Sequence, residues 1–136
     1  ILLKKINCAL ENNLKVIFCV GETLSDKEKG LTKNTIDKQL EVIKDNPANN
    51  IMIAYEPVWA IGSNRSAKIS YIREVHDYIF SKMKLMHKDF LGVAYGGSVN
   101  SSSAKEIFSL DPVYGLLIGG ASLEPKEFSA IALNSF

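Results

Sequence analysis

One carboxylate in this chain stands where it could move a proton. Glu56 closes an apolar run, Ile51–Tyr55, that reads as a buried strand, and Pro57 follows at once, so the acid sits at the strand's C-terminal tip. Val58, Trp59, Ala60 and Ile61 come next, too apolar for an ordinary surface loop, and then Gly62, Ser63 and Asn64, small and polar enough for a sharp turn. An apolar loop with a turn-forming tip suits a lid. A carboxylate beneath a lid is partly shielded from water, the setting in which such a group works as a general base. A second feature complements the first. Gly96-Gly97-Ser98 and Gly119-Gly120 each follow an apolar run. Backbone N–H groups that no side chain obstructs make a grip for an anion. Singly, each glycine is only a tight turn; Gly62, Ser98, Gly119 and Gly120 together, at the tips of successive strands, read as an anion site.

The elements that must carry these residues alternate along the chain. Residues 1–13 set Leu2, Leu3, Ile6, Ala9 and Leu10 on one helical face, with Asn12-Asn13 as a stop. Val16–Val20 reads as a strand buried on both faces, as in a parallel sheet. Ser25 to Glu28 has capping-box spacing, and a helical stripe then runs through Leu31, Ile36, Leu40 and Ile43 to a stop at Asp45-Asn46-Pro47. After the lid, Ser70 is placed to cap a helix in which Ile72, Val75, Ile79, Met83 and Met86 recur at three- and four-residue steps. Residues 91–95 form a third strand, a short helix carries Ile107 and Phe108, and Asp111-Pro112 turns into a fourth strand over 113–118. Pro125 opens a closing helix with Phe128, Ile131 and Ala132 facing inward. Strand and helix thus alternate at roughly 30-residue intervals, the size of a βαβ unit. No Pro/Gly/Ser-rich linker interrupts residues 1–136, so a single domain is expected. Periodicity alone permits an open doubly wound sheet as well as part of a barrel.

Composition narrows the class of partner. The chain has 136 residues, 46% hydrophobic and 23% charged, and a formal charge of +1 with the signs interspersed. It shows no basic footprint for nucleic acid or an anionic membrane, so small-molecule chemistry is the better expectation. Cys8 and Cys19 form no CxxC pair; a reducing compartment and buried, unreactive thiols are expected. The sequence begins at Ile1, with Lys4 and Lys5 inside an amphipathic pattern and not ahead of an apolar block. A chain that starts mid-protein is the expectation drawn from this.

YEPVWAIG over 55–62, YGGSVN over 95–100 and GGASL over 119–123 resemble, in order and spacing, the loops after the sixth, seventh and eighth strands of the triose-phosphate isomerase family. The run VIFCVGE over 16–22 resembles that family's fifth strand, where the cysteine packs near the active-site glutamate. The resemblance covers nearly the whole chain. It implies an α/β fold, the C-terminal half of a (β/α)8 barrel of about four βα units plus a leading helix, since a full barrel needs about 250 residues. It implies interconversion of dihydroxyacetone phosphate and D-glyceraldehyde 3-phosphate, with Glu56 as the catalytic base and Gly62, Ser98, Gly119 and Gly120 at the positions that grip the substrate phosphate. No metal or cofactor is called for. The family also implies cytoplasmic glycolysis and gluconeogenesis, a homodimer in the intact enzyme, and a lid that keeps the enediol from water.

Other residues invite discounting. His76 and His87 read as packing or surface histidines within or near one helix, not as the family's electrophile. Asn13-Leu14-Lys15 imitates the family's Asn-x-Lys pair but precedes a strand where that pair follows one. Glu22 reads as a structural acid at a strand end, Trp59 as packing at the lid's base, and Arg65 as solvated. Ser63 and Asn64 stand where the family usually has threonine and glycine, and asparagine tolerates a left-handed backbone better than most residues. No residue here replaces the strand-one Asn-x-Lys or the strand-four histidine. The chain alone is therefore expected to be nearly inactive, and its open sheet edges to favour self-association or pairing with an N-terminal half. The rival reading is a half-barrel that keeps phosphate binding without turnover; another phosphate-binding barrel enzyme would leave YEPVWAIG unexplained.

Overall fold

A computed structural model describes residues 1–61, 67–87 and 89–135. Four strands form one sheet in the order β1 (Val16–Val20), β2 (Ile51–Tyr55), β3 (Val93–Tyr95) and β4 (Gly115–Leu116), every neighbouring pair parallel. Helices precede and separate them: α1 (Leu2–Glu11), α2 (Leu24–Glu28), α3 (Thr32–Leu40), α4 (Ile69–Met86), α5 (Ala104–Phe108) and α6 (Pro125–Asn134). The alternation is the α/β pattern expected, with β1 and β4 as the sheet's edges. Among the described residues no helix is long and apolar enough to cross a membrane.

The core lies between the sheet and the helices. Ile36, Leu40 and Ile43 from the segment after α2, and Ile72, Val75, Ile79 and Met83 from α4, are buried against Ile51, Ile53 and Tyr55 of β2. Asn13 ends the first helical segment with a φ of 58°, a left-handed conformation that asparagine accepts. Pro125 occupies the first turn of α6, where its missing N–H costs nothing.

Several sequence expectations are corrected. Strand β1 is buried on one face only: Phe18 and Val20 are inside, whereas Ile17 is 53% exposed and Cys19 is exposed. As an edge strand with no partner on its outer side among the described residues, it leaves the sheet's inner face uncovered there. Cys8 is exposed as well, so neither thiol is a buried one. On α1 only Ile6 is buried, while Leu2 and Leu3 stay exposed. The capping box belongs to Thr23 and Asp26, not to the segment beginning at Ser25: the Thr23 hydroxyl accepts from Asp26 N and the Asp26 carboxylate accepts from Thr23 N, both at 3.2 Å. Helix α4 starts after Lys68 with no side-chain cap, so Ser70 does not serve as one. Strands β3 and β4 are shorter than the apolar runs that announce them, and Phe128 and Ala132 of α6 are exposed while Ile131 is buried.

Candidate active site

The in-register sheet sets one row of residues just beyond the strand tips. Val20, Tyr55, Tyr95 and Leu116 are aligned by the pairings Val20↔Tyr55, Tyr55↔Tyr95 and Tyr95↔Leu116. Each ladder then continues by one step: Glu56 N donates to Val20 O, Gly96 N to Tyr55 O and Leu117 N to Tyr95 O, each at 2.8 Å. Gly21, Glu56, Gly96 and Leu117 therefore stand side by side on the C-terminal rim.

Two glycines form the slot in which Glu56 stands. A methyl group placed on Gly21 would fall 1.8 Å from the Glu56 carbonyl oxygen, and one on Gly96 would fall 2.6 Å from Glu56 Cγ and 2.9 Å from Oε1. Only a residue without Cβ lets the neighbouring chain ends approach this closely. Gly97 is equally constrained, because a Cβ there would meet the Tyr95 hydroxyl at 2.1 Å. The main chain of Gly21 is itself held by a side chain from α3: Gly21 N donates to Gln39 Oε1 at 2.9 Å, and Gln39 Nε2 donates to Gly21 O at 3.0 Å.

A cavity of about 530 Å3 opens on this rim, lined by Glu56, Ile61, residues 96–99 and residues 117–121. Glu56, Ser98, Gly119 and Gly120, four of the residues singled out from the sequence, thus meet around one space. Gly62, together with Ser63, Asn64 and Arg65, lies outside the described residues. Gly119 leads into a 3-10 turn over Gly120–Leu123, whose first N–H groups have no partner within the turn. A Cβ on either Gly119 or Gly120 would meet open space, so what these glycines leave bare is main chain facing outward. Among the described residues lining this cavity there is no histidine, lysine or arginine.

Cys19 lies beside the carboxylate. Partial burial, then the charge of Glu56 and a hydrogen bond to it, push the Cys19 thiol up to about 11. At neutral pH it remains a thiol beside the Glu56 carboxylate, which fits the neighbourhood the resemblance implies.

Glu22 has a different environment. Fully buried, it accepts from Trp59 Nε1 at 2.8 Å, Tyr71 Oη at 3.0 Å and Tyr55 Oη at 3.1 and 3.2 Å. Burial chiefly, with the Glu22 charge adding to it, raises the Tyr55 hydroxyl far above the usual phenol range. Lys27 Nζ lies 3.5 Å from the centre of the Trp59 ring and 4.8 Å from that of Tyr71, a cation–π contact. Val58 N also donates to Glu22 O at 3.0 Å. The acid is therefore a structural hub that ties the segment after Glu56 to β1 and α4. His76 is buried too, its Nδ1 within 3.2 Å of Pro112 O and its ring edge-on to Tyr55, so it is a packing residue as expected.

Sequence reasoning missed Gln39 and the part that Gly21 and Gly96 play in making room for Glu56. Both glycines lie inside motifs already noticed, and this meaning appears only when the strands are laid in register. Gln39 has no local signal, since its partner lies 18 residues away.

The comparisons with known proteins agree with the motif reading. The family model described as triosephosphate isomerase matches residues 1–135. The chain is 42% identical over 136 residues to the triosephosphate isomerase of Clostridium tetani, covering 94% of this chain and 53% of that protein. It is 40% identical to the one from Ruthia magnifica (96% and 56%) and 43% identical to the one from Chloroherpeton thalassium (94% and 54%). The chain spans about half the length of the curated relatives it matches. With a match that runs over nearly every residue, and with motifs that converge on one rim, the chain belongs to the triosephosphate isomerase family.

Proposed function

We propose that this chain supplies the proton-transfer and phosphate-binding side of a triose-phosphate isomerase site, acting on dihydroxyacetone phosphate and D-glyceraldehyde 3-phosphate. Glu56 is the base. It takes a proton from one carbon of the α-hydroxy carbonyl and returns it to the next, through an enediol or enediolate. Main-chain N–H groups at Ser98, Gly119 and Gly120, with Gly62, hold the phosphate. The observation that carries this reading is the common cavity: the only carboxylate among its described lining residues faces the two glycine-bearing rim loops.

A second reading has its own support. Stabilising the enediolate oxygen calls for an electrophile, and the described cavity lining offers no imidazole or ammonium group. Removal of one such group typically lowers the rate by about a hundredfold to a thousandfold. On this reading the chain by itself binds the phosphate with little turnover, and an N-terminal half-barrel completes the site. The uncovered inner face at β1, with Ile17 and Leu14 exposed, and the exposed Tyr114 beside β4 support association with such a half or with a second copy. A cytoplasmic setting belongs to the same proposal, because exposed free thiols such as Cys8 and Cys19 persist in a reducing compartment. The homodimer of the intact family is likewise part of it.

A coupled isomerase assay, run with Glu56→Asp as control, separates the readings when paired with titration of a phosphate-bearing enediolate mimic. Turnover lost in the variant supports Glu56 as base; mimic binding without turnover supports the second reading. Unchanged turnover in Glu56→Asp, or no binding of the mimic, refutes the site. Sedimentation of the chain should show a dimer or larger species, and a compact stable monomer would count against the open-edge argument.

A further inference from the structure

We propose that Gln39 is a positioning residue for Glu56: by holding the Gly21 main chain with both ends of its amide, it keeps the end of β1 pressed against the Glu56–Pro57 peptide and fixes where the carboxylate stands. This inference rests on the reading of Glu56 as base. The geometry forms a chain of three contacts. Val20 uses its carbonyl on Glu56 N, so the next residue, Gly21, directs its own N–H and C=O away from β2. No strand meets them on that side among the described residues. Gln39 meets both instead, at 2.9 and 3.0 Å. On its other side Gly21 abuts the Glu56 backbone so closely that a Cβ would overlap the carbonyl oxygen, at 1.8 Å, and the carbonyl carbon, at 2.5 Å, and would approach Pro57 N at 3.2 Å. The Glu56 side chain is then confined from the opposite side by Gly96. Releasing Gln39 frees the β1 end to retreat, and with it the wall that locates the base.

Cys19 reports on this without any need for turnover, because its thiol stands one row below Glu56 on the same face of the sheet, within reach of the carboxylate's charge. In a Cys8→Ser background, thiolate formation at Cys19 is followed by ultraviolet absorbance in the parent chain, in Gln39→Met and in Glu56→Gln. Methionine keeps the length of glutamine and removes both hydrogen bonds, and Glu56→Gln sets the value reached when the neighbouring charge is gone. The Cys19 titration in Gln39→Met is expected to move from the parent curve toward that of Glu56→Gln. Titration with two anions extends the test: Gln39→Met should weaken the phosphate-bearing enediolate mimic about tenfold while leaving inorganic phosphate within about twofold, since a tenfold change matches the net worth of a single hydrogen bond and only part of the two lost at Gly21 is felt at the carboxylate. A Cys19 curve superimposable on the parent's, in a variant whose circular dichroism is intact, overturns the proposal, even if the melting temperature falls. If neither anion binds the parent chain, the isomerase reading fails separately, and the Cys19 titration still decides the role of Gln39.

Discussion

Acidification should unfold this chain in part through one histidine. His76 is wholly buried on α4, with Nδ1 donating to Pro112 O and the ring packed among Tyr55 and Tyr95. Burial lowers its pKa from 6.5 to about 4. In the unfolded chain the imidazole takes up its proton near pH 6.5, whereas the folded chain resists until about pH 4. Between those values the unfolded state binds more protons, so stability rises with pH across the window and is lost as pH falls through it. The gap corresponds to roughly 3 kcal/mol, a large share of the stability of a small domain. The assay is the urea midpoint measured from pH 7.5 to 4 for the parent chain and for His76→Gln, whose amide can still donate to Pro112 O but does not titrate. Carboxylates titrate in both proteins, so the difference between the curves isolates the imidazole. The parent should lose roughly 3 kcal/mol more than the variant on acidification. Parallel curves would refute the claim that His76 is held neutral by its surroundings.

Three further outcomes follow from the same packing. Glu22→Ala should destabilise the chain by about 2–4 kcal/mol in chemical denaturation, because it strands the fully buried Tyr55 hydroxyl and removes an acceptor from the half-buried Tyr71 and Trp59, which water can partly serve. A loss below about 0.5 kcal/mol would show that the hub is dispensable. Gly97→Ala should cost about 1–3 kcal/mol through collision with the Tyr95 hydroxyl, and Tyr95→Phe should recover part of that loss; equal costs in both backgrounds would refute the contact. At high pH the sign reverses. Tyr71 is raised to about 12, mainly by burial, and Tyr95 also to about 12, so the unfolded chain releases phenolic protons first, from about pH 10. Stability should fall as pH rises from 10 toward 12, with the tyrosinate absorbance of Tyr71 and Tyr95, over and above that of the exposed Tyr114, appearing together with unfolding and not before it.

The sequence was most legible where a residue's role depends on its neighbours along the chain. The apolar run before Glu56, the stripe of α4 and the proline opening α6 all follow from local pattern, and each element stands where that pattern puts it. Legibility failed where the role depends on what lies across the sheet. Val16–Val20 is apolar throughout, yet its inner face is uncovered because β1 is an edge, and the order of strands is not written in any one of them. The same cause exposes Cys19, and it could not be inferred from the cysteine itself. The capping box failed for a smaller reason. Thr23 and Ser25 both precede acids at three residues, and the helix begins where the Asp26 carboxylate can fold back onto Thr23. Gln39 was invisible because its partner is a glycine main chain in another element.

Strand alternation explains why the carboxylate at position 56 faces the cavity and its neighbour does not. Tyr55 lies edge-on to His76 and tilted against Tyr95, so it points toward the α4 layer. Successive side chains on a strand take opposite faces, which places Ala54 and Glu56 together on the other side. The row beneath Glu56 on that side pairs Cys19, Ala54 and Ala94, three small residues. The row at its own level holds Gly21 and Gly96. Small residues below and bare main chain on either side leave room for a carboxylate and an open cavity, while the bulk of Tyr55, Tyr95 and Phe18 is kept for the helix-facing core. A slip of one residue in β2 would turn Glu56 into the layer of Tyr95 and His76, where no described group offers it a charge partner, and would set Tyr55 against the two glycines. The size pattern across three strands therefore fixes the register, and the register, more than any single contact, delivers the acid to the rim.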